Sequence, residues 1–453
     1  MAKFLFTTLP SNDLGLLTRS LPIARGLTDR GHKVAFSSPA RAPRALISSA
    51  GFENLLPRHP IYQLSTRHLS PRGLLRFIRS KPWKEGYPGP LDFFFQLFSA
   101  IPVRFARRTA EVWNMDHAAA MAGMANPGFV RANCQAFVSL IQDHDPDIVV
   151  DFWNPFACMA ARVLEKPLVT VIQADGHPAG NGFIWWKPPS EKIPTVVPTV
   201  NRVLASLGAD PITKFDDLNL GTLTLIIGTP ETDPLPPGAE GQYIGPVLWE
   251  DQEAILPPWF EELETDKPVV WVYSGNPRYS KKATVVDSEV ILGACVEALG
   301  DEDVQVVLTT GHHSIPEHYL PLPENFRFER YLPGLRLAAR SDLMIHHGGY
   351  GSCQTGLFTG TPAVIIPTFS ERESNARRIS SLGAGAFILP ETGPDGKKRI
   401  EINLLRKKVK EVLATPTFRE NAKKYGEVLR SLGGIDGAVD LIENMDGAGK
   451  ARS

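Results

Sequence analysis

Seven consecutive residues, His346-His347-Gly348-Gly349-Tyr350-Gly351-Ser352, combine two imidazoles, three glycines and a hydroxyl. Glycines let a backbone come close to a bulky group, while an imidazole N–H and a serine hydroxyl donate hydrogen bonds. Such a stretch suits the holding of an anion with several oxygens, a diphosphate above all. A Gly-rich turn carrying two incidental histidines is the competing reading of the same spacing. Two familiar phosphate cradles are excluded, since the run from Gly351 to Gly356 lacks the lysine of a P-loop and no G-x-G-x-x-G occurs here. Nor does the turn supply a cluster of metal ligands.

The flanks of the turn explain what must position it. Residues 343–345 read as a short apolar strand, and a helix opens near Tyr350 to Ser352. A second strand is expected at 363–366, followed by a second polar turn at 370–375 and another helix. Each turn therefore lies at the carboxyl end of a strand and the amino end of a helix, where an open α/β sheet places its ligand. The free amides and dipole of the following helix favour an anion there.

At these residues the chain resembles family 1 glycosyltransferases, the GT-B enzymes that include plant natural-product and bacterial antibiotic and macrolide glycosyltransferases, within the UDP-glycosyltransferase superfamily. Their donor motif runs His, two small residues, an aromatic or small residue, Gly or Asn, then Ser or Thr, and His347-Gly348-Gly349-Tyr350-Gly351-Ser352 has that order. Gly360-Thr361-Pro362 supplies the Gly-x-Pro that follows. Pro367-Thr368-Phe369-Ser370-Glu371-Arg372-Glu373-Ser374-Asn375-Ala376 completes the pattern, with Arg372 where the family usually carries Gln.

The resemblance implies two Rossmann-like β/α/β domains facing each other across a cleft. It implies an inverting transfer of a sugar from a UDP- or dTDP-sugar to a hydroxyl of a small lipophilic acceptor such as a phenolic, polyketide or terpenoid. By resemblance, the donor contacts are Gly275 and Asn276 at one corner, Thr310 at the next, Tyr331 and Leu332 at the base-stacking turn, His347, Gly349, Tyr350, Gly351 and Ser352 in the cradle, and Glu371 and Arg372 on the sugar. The nucleotide sugar is a substrate, and neither a cofactor nor a metal is expected. Arg372 keeps donors, adds charge and removes the acceptor of Gln, which leaves the sugar open.

The acceptor side departs from the family. Where members carry the histidine that takes the acceptor proton, this chain has Leu16, which accepts none. Asp13 is the nearest ionisable group and the candidate base, with His117, Asp175 and His177 behind it; capping of the next helix is the other use for Asp13. Phe94 and Phe98, with Asp175 and His177, are candidate acceptor contacts, although an aromatic helical stripe is commonly core. A nucleotide-sugar-binding auxiliary protein that has lost catalysis is the alternative function, and a nucleotide-sugar epimerase is a third.

Length and composition set the frame. A chain of 453 residues with 43% hydrophobic content suits two domains. Its net charge of −1 gives no reason to expect nucleic acid or an acidic membrane as partner. Cysteines 134, 158, 295 and 353 form no C-x-x-C pair. No signal-peptide pattern or membrane-length apolar run is read, so a cytoplasmic monomer or homodimer acting on small molecules is expected.

Along the chain, a β-α-β opening spans residues 3–36, with Gly31-His32 read as a helix end bearing a surface histidine. Asp143-His144-Asp145-Pro146-Asp147 resembles a D-x-D metal motif, but it precedes an apolar strand instead of following one, so it reads as a solvated turn. Seven prolines between Thr229 and Pro258 stiffen the chain. They place a linker at 236–266, between an acceptor domain at 1–235 and a donor domain at 267–430. A tail is expected at 431–453, with the helix before it, 416–432, crossing back onto the first domain. Arg406, Lys407, Lys408 and Lys410 read as a solvated helix face.

Overall fold

The computed structural model describes residues 1–11, 14–57, 59–60, 71–84, 89–99, 109, 111–250, 254–263, 266–275, 288–311 and 313–450. The first sheet holds β1 (Lys3–Thr8), β2 (Lys33–Ser37), β3 (Glu53–Asn54), β4 (Ile148–Phe152), β5 (Leu168–Ile172), β6 (Leu223–Ile227) and β7 (Gln242–Gly245), in the order β3-β2-β1-β4-β5-β6-β7. The second holds β8 (Val269–Tyr273), β9 (Gln305–Thr309), β10 (Phe326–Glu329), β11 (Leu343–His346), β12 (Ala363–Ile365) and β13 (Gly385–Phe387), in the order β10-β9-β8-β11-β12-β13. Every pairing in both sheets is parallel. Each order reverses once, between β1 and β4 and between β8 and β11, and a doubly wound sheet opens a crevice at such a point.

Helices cover both faces, so the strands are apolar on both sides and read as continuous hydrophobic runs. Successive side chains still alternate between two cores. Leu5 and Val149 enter one core of the first domain, and Phe4, Phe6, Ile148 and Val150 enter the other. Val270, Val272 and Ile345 fill one side of the second sheet, and Val269, Trp271 and Met344 the other.

Four expectations are corrected. The stretch expected to be linker contains β7, which pairs with β6; Ile244 and Val247 are buried in the first core, while Phe260 and Leu263 already belong to the second. Pro punctuation surrounds a strand here without interrupting it. The stretch expected to be tail contains the helix Gly434–Lys450, whose Ala438, Val439 and Ile442 are buried against the first domain. This helix makes the crossing. Pro416–Arg430 instead packs in the second domain, where a Cβ on Gly426 would lie 2.3 Å from the Leu357 carbonyl oxygen. His32 is not a free surface histidine: its Nδ1 accepts from the Ala2 amide at 3.1 Å and its Nε2 lies 2.8 Å from Glu443 on the crossing helix. The Asp143–Asp147 segment is a turn, with Asp145 left-handed at φ 46° and held by Lys166 at 2.7 Å.

Candidate functional site

The residues of the second-domain motif come together through topology. Gly275 follows β8, Thr310 follows β9, Tyr331 follows β10, His347 to Ser352 follow β11, and Glu371 and Arg372 follow β12. Five adjacent parallel strands thus direct their carboxyl ends at one crevice. Asn276 lies outside the described residues. The helix Tyr350–Thr359 starts at Gly349 with no side-chain cap, so the Tyr350 and Gly351 amides have no intrahelical acceptor, while the Ser352 amide donates to the Gly349 carbonyl at 3.0 Å.

The glycines are required by close approach. Gly348 has φ +83°, and a Cβ there would lie 2.7 Å from the Arg372 carbonyl oxygen; a Cβ on Gly349 would lie 2.4 Å from His347 Nε2. Gly275, at φ +88°, would bring one to 3.0 Å from His347 Nδ1. Gly351 differs, because a Cβ there would meet nothing within 4 Å. Its bareness leaves backbone open to the crevice.

Two imidazoles are buried at this point. His346 Nδ1 accepts from the Gly348 amide at 3.1 Å and so shapes the turn, and burial pushes its pKa down to about 3. His347 packs edge-on against Tyr273 with ring centroids 5.5 Å apart. Burial, reinforced by the Arg372 charge, holds its pKa well below the usual histidine range, so the ring is neutral. A backbone contact with Tyr273 opposes this shift; among the described residues His347 Nδ1 makes no well-formed hydrogen bond, and neither do the buried Ser274 Oγ and Thr368 Oγ1 at the ends of neighbouring strands. Buried polar atoms are normally paired, and an orphaned group of them calls for a ligand or water.

The second turn is tied to the first. Asn375 Nδ2 donates to the Gly348 carbonyl at 2.9 Å and to Glu371 Oε1 at 2.8 Å, and burial raises the Glu371 pKa against the opposing Arg372 charge. One turn further along the helix Ser370–Ser381, Arg378 forks across to the first domain. Its guanidinium contacts Asp175 through Nη2 and lies 3.2 Å from Asp233 Oδ1 through Nη1, both carboxylates being buried. Ser374 Oγ donates to Asp175 Oδ2 at 3.0 Å and accepts from Trp185 Nε1 at 3.0 Å.

Several side chains expected to touch ligands are engaged elsewhere. The Tyr350 ring is buried in the first-domain core, and its hydroxyl lies 2.7 Å from the Ile227 carbonyl and 2.9 Å from Asp233 Oδ2. Only its backbone serves the cradle. Leu332 is core, and the Thr310 hydroxyl donates to the His313 carbonyl. Asp175 is held in the ionic seam by Arg378 and Ser374. His177 is a loop strut, with Nε2 at 2.7 Å from the Glu240 carbonyl and Nδ1 accepting from the Ala179 amide. His117 is buried in the helix Met115–Ala122, where burial lowers its pKa.

The first-domain crevice was not legible in the sequence. Asp151, at the end of β4, accepts from the Thr7 hydroxyl, from the Asn154 amide at 2.9 Å and from Cys158 Sγ at 3.2 Å. Burial pushes its pKa up to about 7. Trp153 beside it has φ +62°, a left-handed conformation rare for an aromatic residue. Trp153 Nε1, Asn154 Nδ2 and Ser37 Oγ are buried without protein partners. A strand followed by Trp-Asn-Pro was the available signal. Asp13 lies outside the described residues, and Leu16 wedges between the two first-domain cores. Phe94 is half-buried on the helix Pro90–Ser99, stacked 6.3 Å from Phe98, which is 65% exposed.

Residues 293–431 match the family model of the erythromycin biosynthesis protein CIII-like C-terminal domain. In sequence the chain is 34% identical over 212 residues to 4'-demethylrebeccamycin synthase of Lentzea aerocolonigenes, covering 47% of this chain and 46% of that protein. It is 30% identical over 227 residues to a PGL/p-HBAD biosynthesis glycosyltransferase of Mycobacterium tuberculosis, covering 49% and 47%. The match thus spans about half the length of these relatives. In structure it superimposes on the calicheamicin glycosyltransferase CalG4 with a TM-score of 0.66 at 20% identity, covering 99% of this chain and 98% of that one. The glycosyltransferase VinC, solved in complex with dTDP, gives a TM-score of 0.62 at 19% identity and 98% coverage of both chains. Over about half its length the chain is similar in sequence to glycosyltransferases, and over nearly all of it the fold is theirs. The crevice between the two sheets is the candidate site, and the segment similar to the EryCIII-like domain carries the glycine-rich turn.

Proposed function

We propose that the protein is a glycosyltransferase that moves a sugar, with inversion, from a UDP- or dTDP-sugar to a hydroxyl of a small lipophilic acceptor. The observation that carries this reading is the group of unpartnered buried polar atoms, led by His347 Nδ1, around uncapped helix amides at the strand-order reversal of the second sheet. Departure of a nucleoside diphosphate develops negative charge. Preorganised amides of Gly349, Tyr350 and Gly351 and a neutral imidazole N–H stabilise it without reorganisation. Arg372 brings positive charge to the same turn, and in this reading Glu371 meets sugar hydroxyls. Names given to relatives, among them an NDP-glycosyltransferase, and the dTDP complex of VinC support a nucleotide-linked donor.

The acceptor enters from the first domain, with Phe94 as an apolar wall and Asp13 as the proton acceptor. Asp151 accepts from Thr7, Asn154 and Cys158, so in this scheme it braces the Trp153-Asn154 corner. The test is calorimetric titration with UDP and dTDP, followed by mass spectrometry of nucleotide sugars mixed with phenols, macrolides and terpenoids. Binding together with a glycosylated product is expected. Asp13→Asn should retain donor binding and lose transfer; full transfer by that variant removes Asp13 as the base, and binding without turnover of any nucleotide sugar supports the auxiliary-protein reading instead.

A further inference from the structure

The exposed apolar side chains of this molecule are concentrated. Twelve large hydrophobic residues stand out among the described ones, and six of them fall on two short helices. Leu74, Leu75 and Ile78, at 43%, 57% and 37% exposure, lie on Pro71–Arg79; Leu91, Phe95 and Phe98, at 86%, 76% and 65%, lie on Pro90–Ser99. The opposite sides anchor the pair, through Phe77 and Phe93 with ring centroids 5.9 Å apart and Trp83 against Phe93.

Charge is segregated in the same place. Between Pro71 and Lys84 there are five basic residues, Arg72, Arg76, Arg79, Lys81 and Lys84, and no acidic one, in a chain whose net charge is −1. All five are exposed, and none forms an ion pair with a described residue. At the helical repeat, Leu74, Leu75 and Ile78 share one arc of Pro71–Arg79. The three arginines fill the adjoining arc, and Phe77 points inward. Asp92 is the one acid on Pro90–Ser99.

An apolar arc bordered by arginine and lysine suits an interface between hydrocarbon and anionic headgroups. A second copy of the chain fits poorly, since a two-fold contact apposes the same patch from both subunits and would bring two unpaired clusters of five positive charges together. We propose that these two helices form a peripheral docking surface for a bilayer bearing anionic phospholipid. The leucines and phenylalanines enter the boundary between headgroups and acyl chains, while the basic side chains meet the phosphates. No helix among the described residues is long and apolar enough to cross a membrane, so the attachment is reversible. The surface shares the helix Pro90–Ser99 with the proposed acceptor wall, but vesicle binding reads it without sugar transfer.

Cosedimentation of the full chain with phosphatidylcholine vesicles, with and without phosphatidylglycerol, tests it. Binding at least about tenfold tighter to the anionic vesicles is expected, weakening as salt is raised. Arg76→Glu/Arg79→Glu and, separately, Leu75→Asp/Phe95→Asp should each lose about tenfold or more, with thermal midpoint and UDP titration as in the parent. Absence of vesicle binding by the parent overturns the proposal, as does binding that both variants retain. A dimer in analytical ultracentrifugation that Leu75→Asp/Phe95→Asp dissolves, without vesicle binding, assigns the patch to self-association and also overturns it. Selective capture of an acidic protein in place of vesicles does the same.

Discussion

The two sheets of this molecule reverse strand order at equivalent places, yet their crevices are built from different material. Beside β8 and β11 the walls are backbone: Gly275, Gly348 and Gly349 stand where a Cβ would be crowded, and the buried His347 ring lies against Gly275 and Gly349. Beside β1 and β4 the walls are side chains, with Asp151 saturated by Thr7, Asn154 and Cys158 and the Trp153 ring folded over on a left-handed backbone. Backbone amides suit an invariant partner such as a diphosphate. Side chains can be exchanged without rebuilding the turn, which suits a partner that differs between relatives. A shared topology therefore divides the labour between a fixed half and an adaptable half.

The seam that joins the halves offers the largest effect. Arg378 is the counter-charge to both Asp175 and Asp233, whose side chains are each 1% exposed. Arg378→Ala leaves two buried carboxylates facing one another and should cost about 3–5 kcal/mol of stability by denaturant unfolding. Arg378→Lys keeps the charge and loses the two-pronged geometry, so an intermediate loss is expected. An unchanged midpoint for the alanine variant would mean that the seam is solvated and that the crevices are not held in register.

His347→Ala should weaken UDP binding by about tenfold to a hundredfold, the range for losing a hydrogen bond to a charged group, over and above the stability lost with the packing of its buried ring against Tyr273. Asp151→Asn should leave UDP affinity as it is. Equal losses from both variants would break the division between the two crevices, since the first-domain corner would then be part of the donor site.

Much of this was legible because it is local. Strands buried on both faces announce themselves as apolar runs, and β1, β11, β12 and the helix Tyr350–Thr359 fall where the sequence places them. The cradle was legible for the same reason, its glycines and histidines being consecutive. The seam was not. Arg378 and Asp233 are 145 residues apart and Arg378 and Asp175 are 203 apart, so no spacing rule links them. Tyr350 misled because its backbone serves one domain while its ring serves the other. β7 was hidden by the prolines around it, and the helix Gly434–Lys450 by a polar, glycine-containing end that reads as fraying. There, Gly26 permits the close approach of Val439, a contact between the two ends of the chain.

The finest test of the comparison lies in pH. Burial raises the folded-state pKa of Asp151 to about 7 from an ordinary value of 3.8, so between those values the native chain keeps a proton that the unfolded chain has lost. Stability contributed by this group is full below about pH 4, declines as pH rises and levels off above about 7. Asp216, pushed up to about 8, and Asp233, to about 6, slope the same way, while His346, pushed down to about 3, slopes the other. The parent profile therefore mixes signs, and the informative quantity is the gap between parent and Asp151→Asn. That gap should favour the parent most at pH 5 and narrow by about 1 kcal/mol or more by pH 8, given 1.36 kcal/mol per unit of pKa difference, or roughly 2–4 °C in midpoint for each kcal/mol. A gap constant with pH would show that Asp151 is ionised throughout, and the first crevice would then carry a fixed negative charge opposite the cradle.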